Sequence, residues 1–158
     1  MRFRRNLERC GEIFAYEISK NLIYKKQVVN TTLGEAEVPV LDSYPVLATI
    51  LRAGLPLHQG LLNYFDLADN AFISAYRKYQ KSEEFKIEIE YASCPPIDGK
   101  CLILCDVMLA TGASMIKAYK ELLKHGTPLF THFVAILASE EGLQYVKRYI
   151  NPENTSIW

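Results

Sequence analysis

Leu102-Ile103-Leu104-Cys105-Asp106-Val107-Met108-Leu109-Ala110-Thr111-Gly112-Ala113-Ser114 is the stretch that decides how this chain reads. An apolar run from Cys101 to Cys105 delivers an acid and then a loop, and Thr-Gly-Ala-Ser opens a helix carrying Ile116, Tyr119 and Leu123. Apolar runs of this kind suit strands covered on both faces, as in parallel sheets. Free backbone N–H groups at a helix N-terminus bind phosphate, helped by the macrodipole. Thr111 and Ser114 add hydroxyls, Gly112 lets the backbone approach closely, and Asp106 can accept hydrogen bonds from sugar hydroxyls. The same residues also describe an ordinary βα loop ending in an N-capped helix. The G-x-x-x-x-G-K-[ST] pattern of a Walker A loop is absent.

Upstream, Val46 to Leu51 is a second nearly continuous apolar run, ending at Arg52-Ala53-Gly54 before Pro56 opens a helix with Leu57, Leu61 and Phe65 on one side. Further strands are expected around Ala71 to Ala75, at Phe133 to Leu137, and from Thr155. A helix bearing Leu143, Val146 and Ile150 lies between the last two. Strands alternating with helices predict right-handed βαβ units and a parallel sheet. Ligands of such sheets bind beyond the carboxyl ends of the strands, so the loops 52–56 and 106–114 should open on the same edge. Ahead of this core, Phe3, Leu7, Cys10, Phe14 and Ile18 recur at helical spacing, predicting an amphipathic helix over 3–21. Val28 to Val40 reads as an edge arm or hairpin, because Pro39 cannot serve a central strand. Phe85, Ile87, Ile89 and Tyr91 alternate with charged residues as a half-exposed strand does. With the polar segment 76–84 before it, that strand suggests a flap over about 76–91. The whole is one domain: helix 3–21, arm 23–44, core 45–158.

With 18 basic and 18 acidic residues, no global field draws the chain to nucleic acid or an anionic membrane. The basic start, Arg2, Arg4 and Arg5, has no apolar h-region after it, so a secretory signal is not expected. No apolar run is long enough to span a bilayer. The four cysteines, Cys10, Cys94, Cys101 and Cys105, form no C-x-x-C pair. Cys101 and Cys105 share a strand face and read as small core residues. These features point to the cytoplasm. His58, His125 and His132 fall in helix, helix-end and strand contexts and are expected to be structural.

The motifs resemble those of the uracil phosphoribosyltransferases, a branch of the type I phosphoribosyltransferases. That family carries D-P-M-L-A-T-G-G-S where Asp106 to Ser114 reads D-V-M-L-A-T-G-A-S, and I-L-R-A-G-L where Ile50 to Leu55 is identical. Val107 replaces a proline and Ala113 a glycine; a left-handed backbone at 113 would be strained by alanine. Tyr76-Arg77 is similar to a Y-R pair at the base of the family's flap. Phe3-Arg4 and Tyr16-Glu17 match its N-terminal helix. The resemblance runs from Phe3 to Trp158. The family also has a later Y-I-x-P-G-L-G-D-A-G-D segment whose backbone recognises uracil. Nothing here matches it, so the chain reads as a fragment or as the ordered part of a longer protein.

The resemblance implies an α/β, type I phosphoribosyltransferase-like parallel sheet flanked by helices. The reaction it implies is uracil plus phosphoribosyl diphosphate giving UMP and diphosphate. Met108, Leu109, Ala110, Thr111, Gly112, Ala113 and Ser114 would hold the 5′-phosphate and, with Asp106, the ribose. Arg52, Ala53, Gly54 and Arg77 would hold the diphosphate. Asp106, Arg52 and Arg77 would be the catalytic residues, acting by position and charge. Mg²⁺ would accompany the diphosphate, held mainly by substrate oxygens and water rather than by a protein metal site. The family also implies a homo-oligomer, with the arm and first helix as contact surfaces, and GTP activation in some members. Three other readings are a phosphoribosyltransferase for another base, a non-catalytic nucleotide-binding or regulatory member, and nucleic-acid binding through Arg2, Arg4 and Arg5. The single acid at 106 argues against the first, since most other type I members pair acids there.

Overall fold

The architecture follows from how four apolar strands share their side chains between two helical layers. In the computed structural model, which describes residues 2–79 and 85–158 (backbone only in 76–79 and 85–87), these strands are β3 (Val46–Leu51), β4 (Asp69–Tyr79), β6 (Cys101–Leu109) and β7 (Phe130–Ala138). They run parallel in the order β4-β3-β6-β7, with β5 (Phe85–Ser93) antiparallel on the β4 edge and β8 (Thr155–Ile157) parallel on the β7 edge. Successive side chains point to opposite faces. Val46, Ala48 and Ile50 with Leu102 and Leu104 therefore pack under α3 (Ala113–Leu122) and Val146 of α4 (Glu140–Tyr149). Leu47 with Ile103 and Cys105 pack under α1 (Arg2–Ser19) and α2 (Leu55–Tyr64). Both faces are covered, which is why these strands read as continuous apolar runs. The sheet is thus mostly parallel with one antiparallel edge.

Two helices meet over one face through glycines. A Cβ on Gly60 of α2 would stand 2.9 Å from the Cα of Gly11 in α1, and a Cβ on Gly11 would stand 2.9 Å from the Cα of Gly60. The buried stripe of α1 is accordingly Leu7, Gly11, Ala15 and Ile18. Phe3, expected on that stripe, is 66% exposed, because the crossing with α2 is centred further along the helix.

The arm is a separate two-stranded sheet of β1 (Tyr24–Thr31) and β2 (Gly34–Leu41), with Pro39 opposite Lys26. Each strand has a free edge, so a residue without an N–H is tolerated. Two strands correct the sequence expectation. β4 is longer than the short strand expected over 71–75 and pairs with β5 from Phe72↔Ser93 to Tyr79↔Phe85. β6 does not stop at Cys105 but continues to Leu109, opposite Ala138. The acid interrupts the apolar run but not the ladder. Of the expected flap, residues 80–84 lie outside the described residues. Among the described residues, no helix is long and apolar enough to cross a membrane.

Candidate active site

The carboxyl end of β3 lies beside the middle of β6, with Thr49 opposite Cys105, and the two strands run parallel. Both loops therefore open on one edge, as expected. Gly54 closes the gap between them: a Cβ there would lie 2.9 Å from the carbonyl oxygen of Ile50 and 3.4 Å from that of Cys105. Its φ of −69° suits any residue, so the requirement is for space alone. The turn that carries Arg52 is thereby seated directly against β6, one residue before Asp106. The Leu51–Arg52 peptide is cis. Arg52 and Ala53 are exposed, and Arg52 forms no ion pair with any described residue. Leu55 and Pro56 begin α2.

On the other loop, Asp106 lies inside β6, half-buried, and its carboxylate accepts a 2.7 Å hydrogen bond from the N–H of Val107. Burial pushes the carboxyl up to about 6, and that hydrogen bond pulls the other way. A proline at 107 would have no N–H to give, so this contact belongs to the sequence in hand. Met108 is exposed and Leu109 buried, as alternation along a strand requires. Ala110, Thr111 and Gly112 form the short connection to α3. Gly112 is the left-handed residue, with φ +75°, and caps α3 without a side-chain hydrogen bond. Ala113 is the first helical residue, where alanine is well suited. The strain foreseen for alanine at 113 therefore does not arise, because the left-handed turn falls one residue earlier.

The first-turn N–H groups of α3 have no side-chain cap and no acid beside them. They face a small cavity of about 40 Å³ lined by Asp106, Met108, Ala110, Thr111, Gly112 and Ser114, among others. A helix N-terminus with uncapped donors, a hydroxyl on each side of its glycine, and a carboxylate across the cavity are groups that could take a phosphate and sugar hydroxyls. Arg77 is on β4 opposite Ile87; its side chain lies outside the described residues, as does that of Lys78. A much larger concavity, about 650 Å³, lies at the other end of the sheet, beside the first residues of β6 and β7 and next to His132 and Trp158. It is remote from both loops and has none of their anion-binding donors.

The remaining candidates take structural places. Cys105 is fully buried and Cys101 largely so, and burial pushes both thiols up to about 12, too high for a thiolate at neutral pH. His58 is buried against Asn70 at 2.8 Å. His132 is buried against Ser156 at 2.7 Å and Trp158 at 3.1 Å. His125 is exposed at the end of a short 3-10 turn. One contributor was not expected from the sequence: the start of α4, at Ser139 and Gly142, stands directly behind the 110–112 loop. Ser139 is 29 residues beyond Ala110, and only the Ser-Glu-Glu pattern of a helix start marks it locally.

Comparison with known proteins agrees with this geometry. The family model described as uracil phosphoribosyltransferase matches residues 1–158. A uracil phosphoribosyltransferase of Porphyromonas gingivalis (strain W83) is 54% identical over 158 residues, covering all of this chain and 73% of that protein. Among solved structures, the AQ2163 protein from Aquifex aeolicus superposes with a TM-score of 0.85 at 30% identity, over 98% of this chain and 72% of that one. A purine phosphoribosyltransferase from Pyrococcus horikoshii superposes with a TM-score of 0.56 at 15% identity, over 71% of this chain and 70% of that one, and so shares the fold. The chain has the type I phosphoribosyltransferase fold, and it belongs to the uracil phosphoribosyltransferase family.

Proposed function

We propose that the chain transfers the phosphoribosyl group of phosphoribosyl diphosphate to uracil, giving UMP and diphosphate. The observation that supports this reading is two loops on adjacent strands, one opening α3 with no side-chain cap and the other carrying Arg52, exposed and without an ion pair among the described residues. One substrate with a phosphate at each end of a ribose would span them. In this reading the Ala110–Ser114 backbone and hydroxyls hold the 5′-phosphate and Asp106 accepts from the ribose hydroxyls. Arg52 and Arg77, with the Ala53–Gly54 backbone, receive the charge that grows on the leaving diphosphate. A ring nitrogen of uracil forms the new bond to the anomeric carbon as the carbon–oxygen bond to diphosphate breaks. The nitrogen's proton passes to solvent. No covalent enzyme intermediate is required.

Mg²⁺ would neutralise charge on the diphosphate. Its ligands are expected mainly from substrate oxygens and water. The chain is expected to work in the cytoplasm and to assemble with copies of itself through the arm, where Val28 is 61% and Leu33 99% exposed. The test is to follow UMP formation from uracil, phosphoribosyl diphosphate and Mg²⁺, with cytosine, hypoxanthine and adenine run beside uracil. UMP from uracil, abolished by Asp106→Asn, is the expected result. Transfer to another base instead, or binding of phosphoribosyl diphosphate with no transfer to any base, would overturn the assignment.

A further inference from the structure

The 110–112 loop is held from behind by its carbonyl groups. The N–H of Ser139 donates to the carbonyl of Leu109 at 3.0 Å, and the Ser139 hydroxyl donates to the carbonyl of Ala110. The same hydroxyl accepts from the N–H of Gly142 at 2.9 Å, capping α4. Gly142 lies against both carbonyls: a Cβ there would stand 2.6 Å from the Leu109 oxygen and 2.5 Å from the Ala110 oxygen. Gly112 meets Gly142 from the loop side, since a Cβ on Gly112 would come within 2.8 Å of the Gly142 oxygen. The carbonyls thus end at the positive end of the α4 dipole, where negative partial charge is favoured.

In a trans peptide the C=O and the following N–H point in opposite directions. The peptides after Leu109 and Ala110 are not among the cis bonds of the described residues. Turning their two oxygens toward α4 therefore turns the N–H groups of Ala110 and Thr111 away from it. Ala110 and Thr111 line the small cavity beside Asp106, and no α4 residue does. We propose that Ser139 and Gly142 are positioning residues of the phosphoribosyl site, aiming the loop's donors at the 5′-phosphate without touching it. This rests on the phosphoribosyl reading given above. Ser139 fixes the two carbonyls, and Gly142 leaves the space they occupy.

The test is calorimetric titration of the whole chain with two probes, ribose 5-phosphate alone and inorganic diphosphate with Mg²⁺. Ser139→Gly is the main variant: it removes the hydroxyl's hold on the loop and its cap bond from Gly142 together, and glycine is itself a tolerated helix cap. Ribose 5-phosphate should bind roughly tenfold more weakly to Ser139→Gly, and diphosphate, which sits on the Arg52 loop, as it does to the wild type. Ser139→Thr should restore ribose 5-phosphate binding, and Gly142→Ala should lose at least as much as Ser139→Gly. A role confined to folding would weaken both probes together. That result, or ribose 5-phosphate affinity in Ser139→Gly within about twofold of the wild type, overturns the proposal while leaving the phosphoribosyl reading standing. A wild-type chain that binds neither probe would remove the reading itself, and the positioning role with it.

Discussion

Asp106 carries opposite demands. The proposed reaction asks it to accept from ribose hydroxyls as a carboxylate, while burial favours its neutral form and pushes it up to about 6. The folded state therefore binds this proton more tightly than the unfolded chain. The stability the group contributes is complete below about pH 4 and is lost as pH rises through 6, an amount of at most about 3 kcal/mol. Asp106→Asn removes the charge but keeps the shape. It should abolish UMP formation and yet unfold at higher urea than the wild type at pH 7.5, with the gain vanishing near pH 4. Urea titrations at the two pH values measure it. Equal midpoints at both would show that the carboxylate is not disfavoured in the fold. Gly112→Ala makes a second prediction at this scale. It adds a Cβ at φ +75°, within 2.8 Å of the Gly142 oxygen. Ribose 5-phosphate affinity should fall at least tenfold with about 1–3 kcal/mol of lost stability, read by titration and urea melts. The residue types of this site were legible in the sequence, because Asp106, Thr111, Gly112 and Ser114 sit within one short segment. Which residue turns left-handed was not, since Gly112 and Ala113 differ in backbone only once the start of α3 is fixed.

At the scale of elements, the α1–α2 contact sets two effects of one methyl group against each other. Glycine to alanine in a helix interior gains about 1 kcal/mol in propensity. At Gly60 the new Cβ would lie 2.8 Å from the carbonyl carbon of Glu8, in a rigid backbone. Overpacking of this kind costs about 1–3 kcal/mol or more, so the net sign is destabilising. Gly60→Ala should lower the urea midpoint, and Gly34→Ala, where nothing stands within 4 Å, should lose only what its φ of +129° costs. If Gly60→Ala raised the midpoint, the close crossing of α1 and α2 would be wrong. The crossing also explains what hydrophobic periodicity could not disclose. Gly11 and Ala15 contribute little to an apolar stripe, yet small residues are what let two helices approach, so the buried stripe runs through them and not through Phe3, which the helical spacing also included. β6 is a parallel case. Asp106 ends the apolar run, but its pairing with Ala135 of β7 carries the strand on to Leu109. A strand's length is fixed by its neighbour, which no single segment contains. Order and type of the elements were legible because both faces of the central strands are buried; their ends were not.

Across the whole molecule, two titratable groups on adjacent strands and opposite faces of the sheet act on stability in contrary senses. His132, among Phe130, Ser156 and Trp158, has its imidazole driven down to about 4 by burial. The folded state thus resists this proton. The stability His132 contributes is present above about pH 6.5 and is lost as pH falls toward 4, again at most about 3 kcal/mol. Asp106 loses its contribution over nearly the same interval as pH rises. Between pH 4 and 6.5 the two slopes offset one another. His58, whose burial lowers its pKa in the same direction as that of His132, adds a slope common to every variant that cancels in differences. Relative to the wild type, Asp106→Asn should therefore gain stability steadily as pH rises from 4 to 6.5. His132→Asn, which offers an acceptor near the place of Nδ1 for the Trp158 indole, should lose relative stability over that interval. The two sites lie on adjacent strands, three residues apart in register, face opposite sides of the sheet and share no partner, so their effects should add. The double variant should then follow the wild-type pH profile with a constant offset. Urea unfolding of the four proteins at pH 4, 5, 6 and 7 measures all three differences. A double variant whose profile departs from the sum of the singles would mean that the two faces of the sheet communicate through the core, and that protonation on one face changes the fold felt on the other.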